Sequence, residues 1–134
     1  MESTIFKTII ATLGSIGSYL FGGLDTLLEV LVIFVLIDFL SGLIAGGLEG
    51  GLKSKKGFKG IARKIMIFIM VAAAHLTDRA IGDQHLIRDA AIFLYLGNEL
   101  LSIVENAGRI GIPVPSILMN AVEIFKNKSG KEEK

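Results

Sequence analysis

The sequence predicts an all-α integral membrane protein with about three transmembrane helices, an amphipathic N-terminal helix and a short amphipathic C-terminal helix. Its composition and charge distribution predict this fold. Of the 134 residues, 51% are hydrophobic and 20% are charged. The apolar residues form long runs that glycine-rich or polar segments separate. The charges are clustered, since six of the fourteen Lys and Arg residues lie between Lys53 and Lys64.

Several classes of protein are excluded by the same composition. A chain with this many apolar residues is expected to fold and not to stay disordered. Because it contains no cysteine, it has neither a disulfide scaffold nor a thiolate metal site. The glycine-rich segment 46–54 is not a phosphate loop, because Leu52 stands where a lysine must follow the second glycine. His75 and His85 lack metal-ligand spacing. We therefore expect no catalytic residue, no metal, no cofactor, no small-molecule substrate and no nucleic-acid partner.

Residues 1–23 form the predicted N-terminal amphipathic helix. Threonine, serine and tyrosine side chains recur at helical spacing from Thr4 to Tyr19, and isoleucine and leucine side chains form the adjacent stripe. Such a helix can lie in the membrane interface with its apolar side among the acyl chains. Its length also permits it to span the bilayer. We favour the interfacial placement and expect Gly22 and Gly23 to end the helix.

Residues 24–106 form the predicted three-span membrane domain. The first apolar stretch, residues 24–48, is about 37 Å long as a helix and can cross a hydrocarbon core of about 30 Å. The second and third stretches, residues 65–81 and 89–104, are shorter and more polar. A soluble helical bundle is the alternative, but the segment 30–48 is apolar on all sides and leaves no solvent face. Asp25 and Glu29, where this stretch begins, are expected to be solvated.

A basic loop, residues 49–64, follows the first span and predicts the topology. Its cations are Lys53, Lys55, Lys56, Lys59, Arg63 and Lys64. Cytoplasmic loops of membrane proteins carry an excess of lysine and arginine, so this loop and the C-terminus are expected in the cytoplasm. The cations are also expected to attract anionic lipid.

Residues 107–134 form the predicted connector and cytoplasmic tail. Pro113 and Pro115 stiffen the connector, because each ring fixes its own φ and restricts the preceding residue. Ser116 is placed to cap a short helix over residues 117–126, and a charged tail follows.

Three glycines on the first span are candidates for helix packing or oligomerisation, namely Gly42, Gly46 and Gly50. Glycines four residues apart let two membrane helices approach closely. Termination of the helix at residues 46–47 is the alternative explanation.

Four polar residues are predicted to lie inside the membrane, namely Asp38, Asp78, Asn98 and Glu99. A charged residue at the centre of a spanning helix costs about 2.5–3.5 kcal/mol on insertion scales. Such residues therefore face another helix or line water. A cation such as Lys64 or Arg79 can pair with Asp38 if it lies at the same depth.

Two sequence blocks carry a family resemblance. The first joins Asp38-Phe-Leu-Ser-Gly42 to the segment 54–64, and the second joins Asn98-Glu99 and residues up to Asn106 to Gly111-Ile-Pro-Val-Pro115. Together they resemble the toxin-secretion and phage-lysis holin family. Asp78 matches the acid that commonly ends the second span of the family, whereas Ser41 stands where threonine is usual. The similarity covers residues 24–125 and does not extend to the N-terminal helix.

The resemblance implies a phage or prophage protein of the bacterial inner membrane. Such holins oligomerise and form pores or lesions, which release an endolysin or a toxin and trigger lysis of the host cell. The implied partners are further copies of the chain, the lipid bilayer and, functionally, an endolysin. An antiholin that regulates a holin and a small non-lytic export channel are the alternatives.

Overall fold

The computed structural model describes residues 1–82 and 84–133, and within them it contains five α-helices. These are α1 (Glu2–Phe21), α2 (Thr26–Leu48), α3 (Ser54–Ile81), α4 (Leu86–Ile110) and α5 (Ser116–Glu133). All regular secondary structure in these residues is helical, which confirms the predicted all-α class. Lys134, the last residue of the predicted tail, lies outside the described residues.

Helix α4 organises the bundle, because it packs against α2, α3 and α5, whereas α1 packs against α3. The apolar core joins α2, α3 and α4, and its buried members are Leu28, Leu31, Val35, Ile67, Val71, Ile92 and Leu96. Lipid tails are as apolar as these side chains. Within a bilayer, close packing and polar contacts therefore stabilise the bundle more than the hydrophobic effect does.

In the part of the chain that the structure describes, three helices are long and apolar enough to cross a membrane, namely α1, α2 and α3. The number agrees with the prediction, but the set differs. Helix α1 meets the criterion by its length and composition, and it is exposed or half-exposed along its whole length. Helix α4, the predicted third span, does not qualify by composition alone, since it carries Arg88, Asp89, Glu99 and Arg109, although Arg88 and Glu99 are paired inside the bundle.

The basic segment is helical over most of its length, so the predicted loop 49–64 is wrong. Only residues 49–53 connect α2 to α3, and α3 begins at Ser54. Lysine, arginine and alanine favour helix, and an isolated glycine costs about 1 kcal/mol in a helix without ending it. Gly57 and Gly60 are therefore tolerated inside α3.

The C-terminal helix is longer than the predicted 117–126 and folds back along the bundle. The ring of Phe125 lies 6.3 Å from that of Phe93 on α4 and 6.4 Å from that of Phe34 on α2. The connector makes this reversal possible, because Gly111 has a φ of 93°, in the left-handed region that favours glycine. Much of the predicted charged tail is thus part of a packed helix.

Candidate functional site: a buried polar network

Asp38 lies in the middle of α2 and is buried among polar side chains from two other helices. Lys64 Nζ donates to its Oδ2 at 2.6 Å, and Ser102 Oγ and Asn106 Nδ2 donate to its Oδ1 at 2.6 and 3.0 Å. Asp38 is 7% exposed. Its carboxylate therefore exchanges water for three donors, one of them a cation, which offsets the cost of burying the charge.

Lys64 bridges two carboxylates. Its Nζ also donates to Oε2 of Glu99 on α4 at 3.1 Å, and Glu99 is 6% exposed. Two acidic groups thus share one ammonium, so the cluster has one acid in excess. No local sequence motif could show this arrangement, because its three members lie on three helices.

The depths of Asp38 and Lys64 match because both residues lie equally far from the short link that joins α2 to α3. Asp38 lies ten residues before the end of α2 at Leu48, and Lys64 lies ten residues after the start of α3 at Ser54. At a rise of about 1.5 Å per residue, both lie about 15 Å from the link. Lys64 is therefore the partner that the sequence left open, and Arg79 lies near the opposite end of α3.

The network continues toward the end of α2. Asn106 Nδ2 donates to Ser41 Oγ at 2.9 Å, and Asn106 Oδ1 accepts from Arg109 Nη1 at 3.2 Å. Arg109 in turn donates from Nε to Glu49 Oε1 at 2.8 Å. Hydrogen bonds and ion pairs thus extend without interruption from the centre of α2 and α4 to their common end.

The basic residues predicted to act as one group divide in two. Lys64 turns into the network, whereas Lys53, Lys55, Lys56, Lys59 and Arg63 are exposed. These five lie on the link and the first turns of α3. They remain available to lipid or solvent, and their predicted role in topology stays a prediction.

The predicted glycine face does not form one continuous helical surface. A Cβ on Gly42 would lie 3.6 Å from Asn106 Nδ2, so this glycine faces α4 of its own chain. A Cβ on Gly46 would lie 3.2 Å from Leu52 Cδ2 of the link. Gly50 lies beyond the end of α2, with a φ of 95°. Contact between copies through these glycines stays a prediction.

The other predicted polar residues lie elsewhere. Asp78 is 1% exposed, and its carboxylate accepts from the backbone N–H of Ile87 at 2.9 Å and of Arg88 at 2.8 Å. Asp78, which belongs to α3, therefore caps the start of α4. An acidic side chain is favourable at a helix N-terminus, where backbone N–H groups lack partners within the helix. Asn98 lies on the exposed side of α4.

A second charged cluster, which sequence reasoning missed, lies at the opposite end of the bundle. Arg88 is fully buried and donates to both carboxylate oxygens of Asp25 at 2.9 Å. It also donates to Asp89 Oδ1 at 2.9 Å and to the carbonyl oxygen of Phe21 at 2.6 Å. The side chain of Asp25 is 49% exposed, in keeping with the expected solvation, but it is also ion-paired, because Arg88 ties the turn between α1 and α2 to the start of α4.

The ion pair changes the acidity of Asp25. The hydrogen bonds from Arg88 hold the pKa of this carboxyl below its usual value of 3.8, although partial burial acts in the opposite direction. The signal in the sequence was the charge pattern alone, an arginine followed directly by Asp89. Nothing local could indicate a partner 63 residues away.

Two histidines stack beside this cluster. The ring centroids of His75 and His85 are 5.6 Å apart, and the guanidinium of Arg79 lies 4.7 Å above the ring of Tyr19. Within residues 1–82 and 84–133, no group of three histidine, cysteine, aspartate or glutamate side chains is placed to hold a metal ion. The arrangement as a whole provides buried charge and helix-to-helix contacts.

Comparison with known proteins identifies the family. The sequence model of the bacteriophage holin family matches residues 15–127. An uncharacterized protein of Listeria innocua is 52% identical over 129 residues, which cover 96% of this chain and 92% of the relative. An uncharacterized 14.9 kDa protein of Clostridium perfringens is 33% identical over 131 residues, which cover 96% of this chain and 99% of the relative.

An uncharacterized protein of Bacillus subtilis, YqxH, is 30% identical over 128 residues, which cover 96% of this chain and 91% of the relative. No solved structure matches the chain. The family match includes every residue of the Asp38 network and excludes most of α1. The chain therefore belongs to the bacteriophage holin family, whose members are membrane proteins without enzymatic activity.

Proposed function

We propose that this protein is a holin that oligomerises in the bacterial inner membrane and forms lesions, through which an endolysin or a toxin leaves the cell. The observation that supports this function best is the burial of two carboxylates, Asp38 and Glu99, around the half-buried Lys64 in the middle of the helix bundle. Membership of the holin family supports it independently.

Asp38, Lys64 and Glu99 form a charged triad, and the free-energy cost of placing it inside the membrane favours a function beyond stabilising the fold. Each charged residue at the centre of a membrane helix costs about 2.5–3.5 kcal/mol on insertion scales. Replacing a buried ion pair with packed apolar side chains is often neutral or stabilising. A protein that only needed to hold α2, α3 and α4 together would therefore gain little from the triad. A protein that later exposes these groups to water needs them.

The position of Lys64 supports such a change. Its side chain is 17% exposed, against 9% and 8% for the side chains of Asp38 and Glu99. The triad thus lies just beneath the surface of the bundle. If assembled copies turn this surface toward each other, water can reach all three groups, and the lesion acquires a polar lining without any unfolding of the helices.

The proposed topology follows from the antiparallel order of the helices. With α2, α3 and α4 across the inner membrane, the link 49–53 and the connector 111–115 lie on the same side. The exposed cations of the link and of the first turns of α3 favour the cytoplasm for that side. The α3–α4 link and Arg88 then lie on the outer side.

Inducible expression in bacteria tests the proposal. We expect growth to stop, a membrane-impermeant dye to enter the cells, and lysis to follow when a cytoplasmic endolysin is co-expressed. The triple variant Asp38→Asn/Lys64→Met/Glu99→Gln, which removes all three charges together, should accumulate in the membrane but abolish dye uptake, whereas the matched control Lys59→Met, which changes an exposed lysine of the same helix, should not. Accumulation in the membrane without growth arrest, together with delayed lysis by a co-expressed holin, would instead identify an antiholin. Export of a protein without growth arrest would identify a non-lytic channel.

A further inference from the structure

Helix α5 covers a groove that α2 and α4 form together. On the inner face of α5, Val122 is 4% exposed, and Phe125 packs against Phe34 and Phe93 on the two sides of the groove. A Cβ on Gly97 would lie 3.1 Å from Lys126 Cγ and 3.4 Å from the carbonyl oxygen of Val122. Because position 97 has no side chain, the backbone of a docked helix can lie in close contact with α4 at this point.

The charges of α5 do not suit the lipid that would surround this groove. Gly97 lies thirteen residues before the end of α4 at Ile110, or about 20 Å along the helix. In a hydrocarbon core of about 30 Å, that position is deep. Lys126 and Lys128 are exposed at this depth while α5 is docked, and lysines facing acyl chains are strongly disfavoured. The docked position of α5 therefore suits a groove that faces water.

We propose that the α2–α4 groove around Gly97 is the surface through which two copies of this chain associate, and that docked α5 blocks it. This inference rests on the proposed function, because it needs α4 to cross the bilayer. When α4 is inserted, α5 leaves the groove by rotation about the exposed connector 111–115. A helix of a second copy then occupies the vacated groove.

A second copy is the occupant that the described residues favour. The groove has the shape of an α-helix, as docked α5 demonstrates. The chain itself offers uncovered apolar helix surfaces of spanning length. Along α1 all side chains are exposed or half-exposed, and on α2 Leu36, Leu40 and Ile44 are more than half exposed. Of these two surfaces, that of α2 can fill the groove without bringing a lysine into the bilayer, because α1 carries Lys7 and α2 contains no lysine.

A reversible lock on α5 tests the inference in a chain that has no cysteine of its own. A Cβ on Gly97 would lie 3.4 Å from Phe125 Cβ, close to the roughly 3.5–4.5 Å that a disulfide spans. The double variant Gly97→Cys/Phe125→Cys is reconstituted in dye-loaded vesicles of phosphatidylethanolamine and phosphatidylglycerol. We expect the oxidised protein to remain monomeric on glutaraldehyde cross-linking and to retain the dye. Reduction should restore dimers and increase dye release at least tenfold.

A second variant releases α5 without changing the groove. Val122→Asp places a charge in the buried face of α5, and Ile117→Asp places the same charge at a position that is 72% exposed. We expect Val122→Asp to form several-fold more cross-linked dimer than the wild type, and Ile117→Asp to resemble the wild type. Equal dimer formation by the two variants would overturn the inference.

The two proposals fail in different ways. If the oxidised double variant assembles and releases dye as fast as the reduced one, or if its disulfide never forms, the groove is not a covered association surface. If no form of the chain releases dye, the proposed function fails. Cross-linking of the locked and unlocked proteins still decides whether the groove pairs two copies.

Discussion

Lys64 Nζ lies 2.6 Å from Asp38 Oδ2 although the two residues belong to different helices and are 26 positions apart. The contact exists because both residues lie ten positions from the short link that joins their helices. A change in the length of either helix near the link would therefore displace the lysine from its partners by about 1.5 Å per residue.

Lys64→Met should destabilise the protein strongly. Without the ammonium, Asp38 and Glu99 would remain buried as two carboxylates with no cation. Breaking a buried pair by removing one partner typically costs about 3–5 kcal/mol. Thermal unfolding in detergent micelles measures the effect, with Lys59→Met as the exposed control. The triple variant Asp38→Asn/Lys64→Met/Glu99→Gln should recover much of the loss, and a Lys64→Met protein as stable as its control would contradict the bridging role.

Arg88→Lys should loosen the turn between α1 and α2. Lysine cannot reproduce the paired contacts that the guanidinium makes with Asp25 while also reaching the carbonyl oxygen of Phe21. We expect an unfolding temperature several degrees lower and faster proteolysis near residues 22–25. Arg79→Lys, which changes an exposed arginine nearby, is the control. Equal proteolysis of the two variants would show that Arg88 does not hold this turn.

The Asp25–Arg88 pair should make stability depend on pH in the acid range. Because the pKa of Asp25 is lower in the folded protein than its usual 3.8, the pair contributes fully above that value. Its contribution is lost as the pH falls below 3.8 toward the folded pKa. Unfolding temperatures measured between pH 6 and pH 2 should show a smaller decline for Asp25→Asn than for the wild type. The variant Glu29→Gln, one helical turn further on, should decline as the wild type does.

Gly42→Leu should act within the chain before it affects assembly. A side chain at position 42 points toward Asn106, whose Nδ2 would lie 3.6 Å from the new Cβ. We expect a lower unfolding temperature and delayed lysis. At Gly47, a Cβ would meet open space with respect to the described residues, so Gly47→Leu should leave the unfolding temperature unchanged. If Gly42→Leu also leaves it unchanged while delaying lysis, the glycine acts between copies instead.

The helical class was predictable because apolar runs and their breaks are local properties of the sequence. The same is true of α2, whose apolar residues give it a clear length. The extent of α3 was not predictable in this way. Its first turns carry the cations that usually mark a loop, yet lysine and arginine are also good helix formers. Lys64 is compatible both with a basic loop and with a helix, and the packing of α3 against α4 favours the helix.

Asp38 and Glu99 could be singled out from sequence because charges in apolar runs are costly. Their common partner could not be identified, because pairing depends on depth and rotation of three helices relative to one another. Arg88 was missed for a related reason. Arg88 lies in a polar stretch, where a charged residue gives no signal. Its burial depends on the turn between α1 and α2 lying at the same end of the bundle as the start of α4. The docking of α5 likewise depends on Gly97 of another helix.

The contacts of Arg88 also bear on how the chain enters the membrane. In the proposed topology, the segment 78–89 must be carried outward across the bilayer, and its charged residues are Asp78, Arg79, Asp83, Arg88 and Asp89. The three acids and two bases leave one negative charge. An inside-negative potential favours outward movement of that charge by about 2.3 kcal/mol per 100 mV. The acids around Arg88 thus make the energised membrane assist the last step of insertion, after which the arginine fastens the four helices at the outer surface.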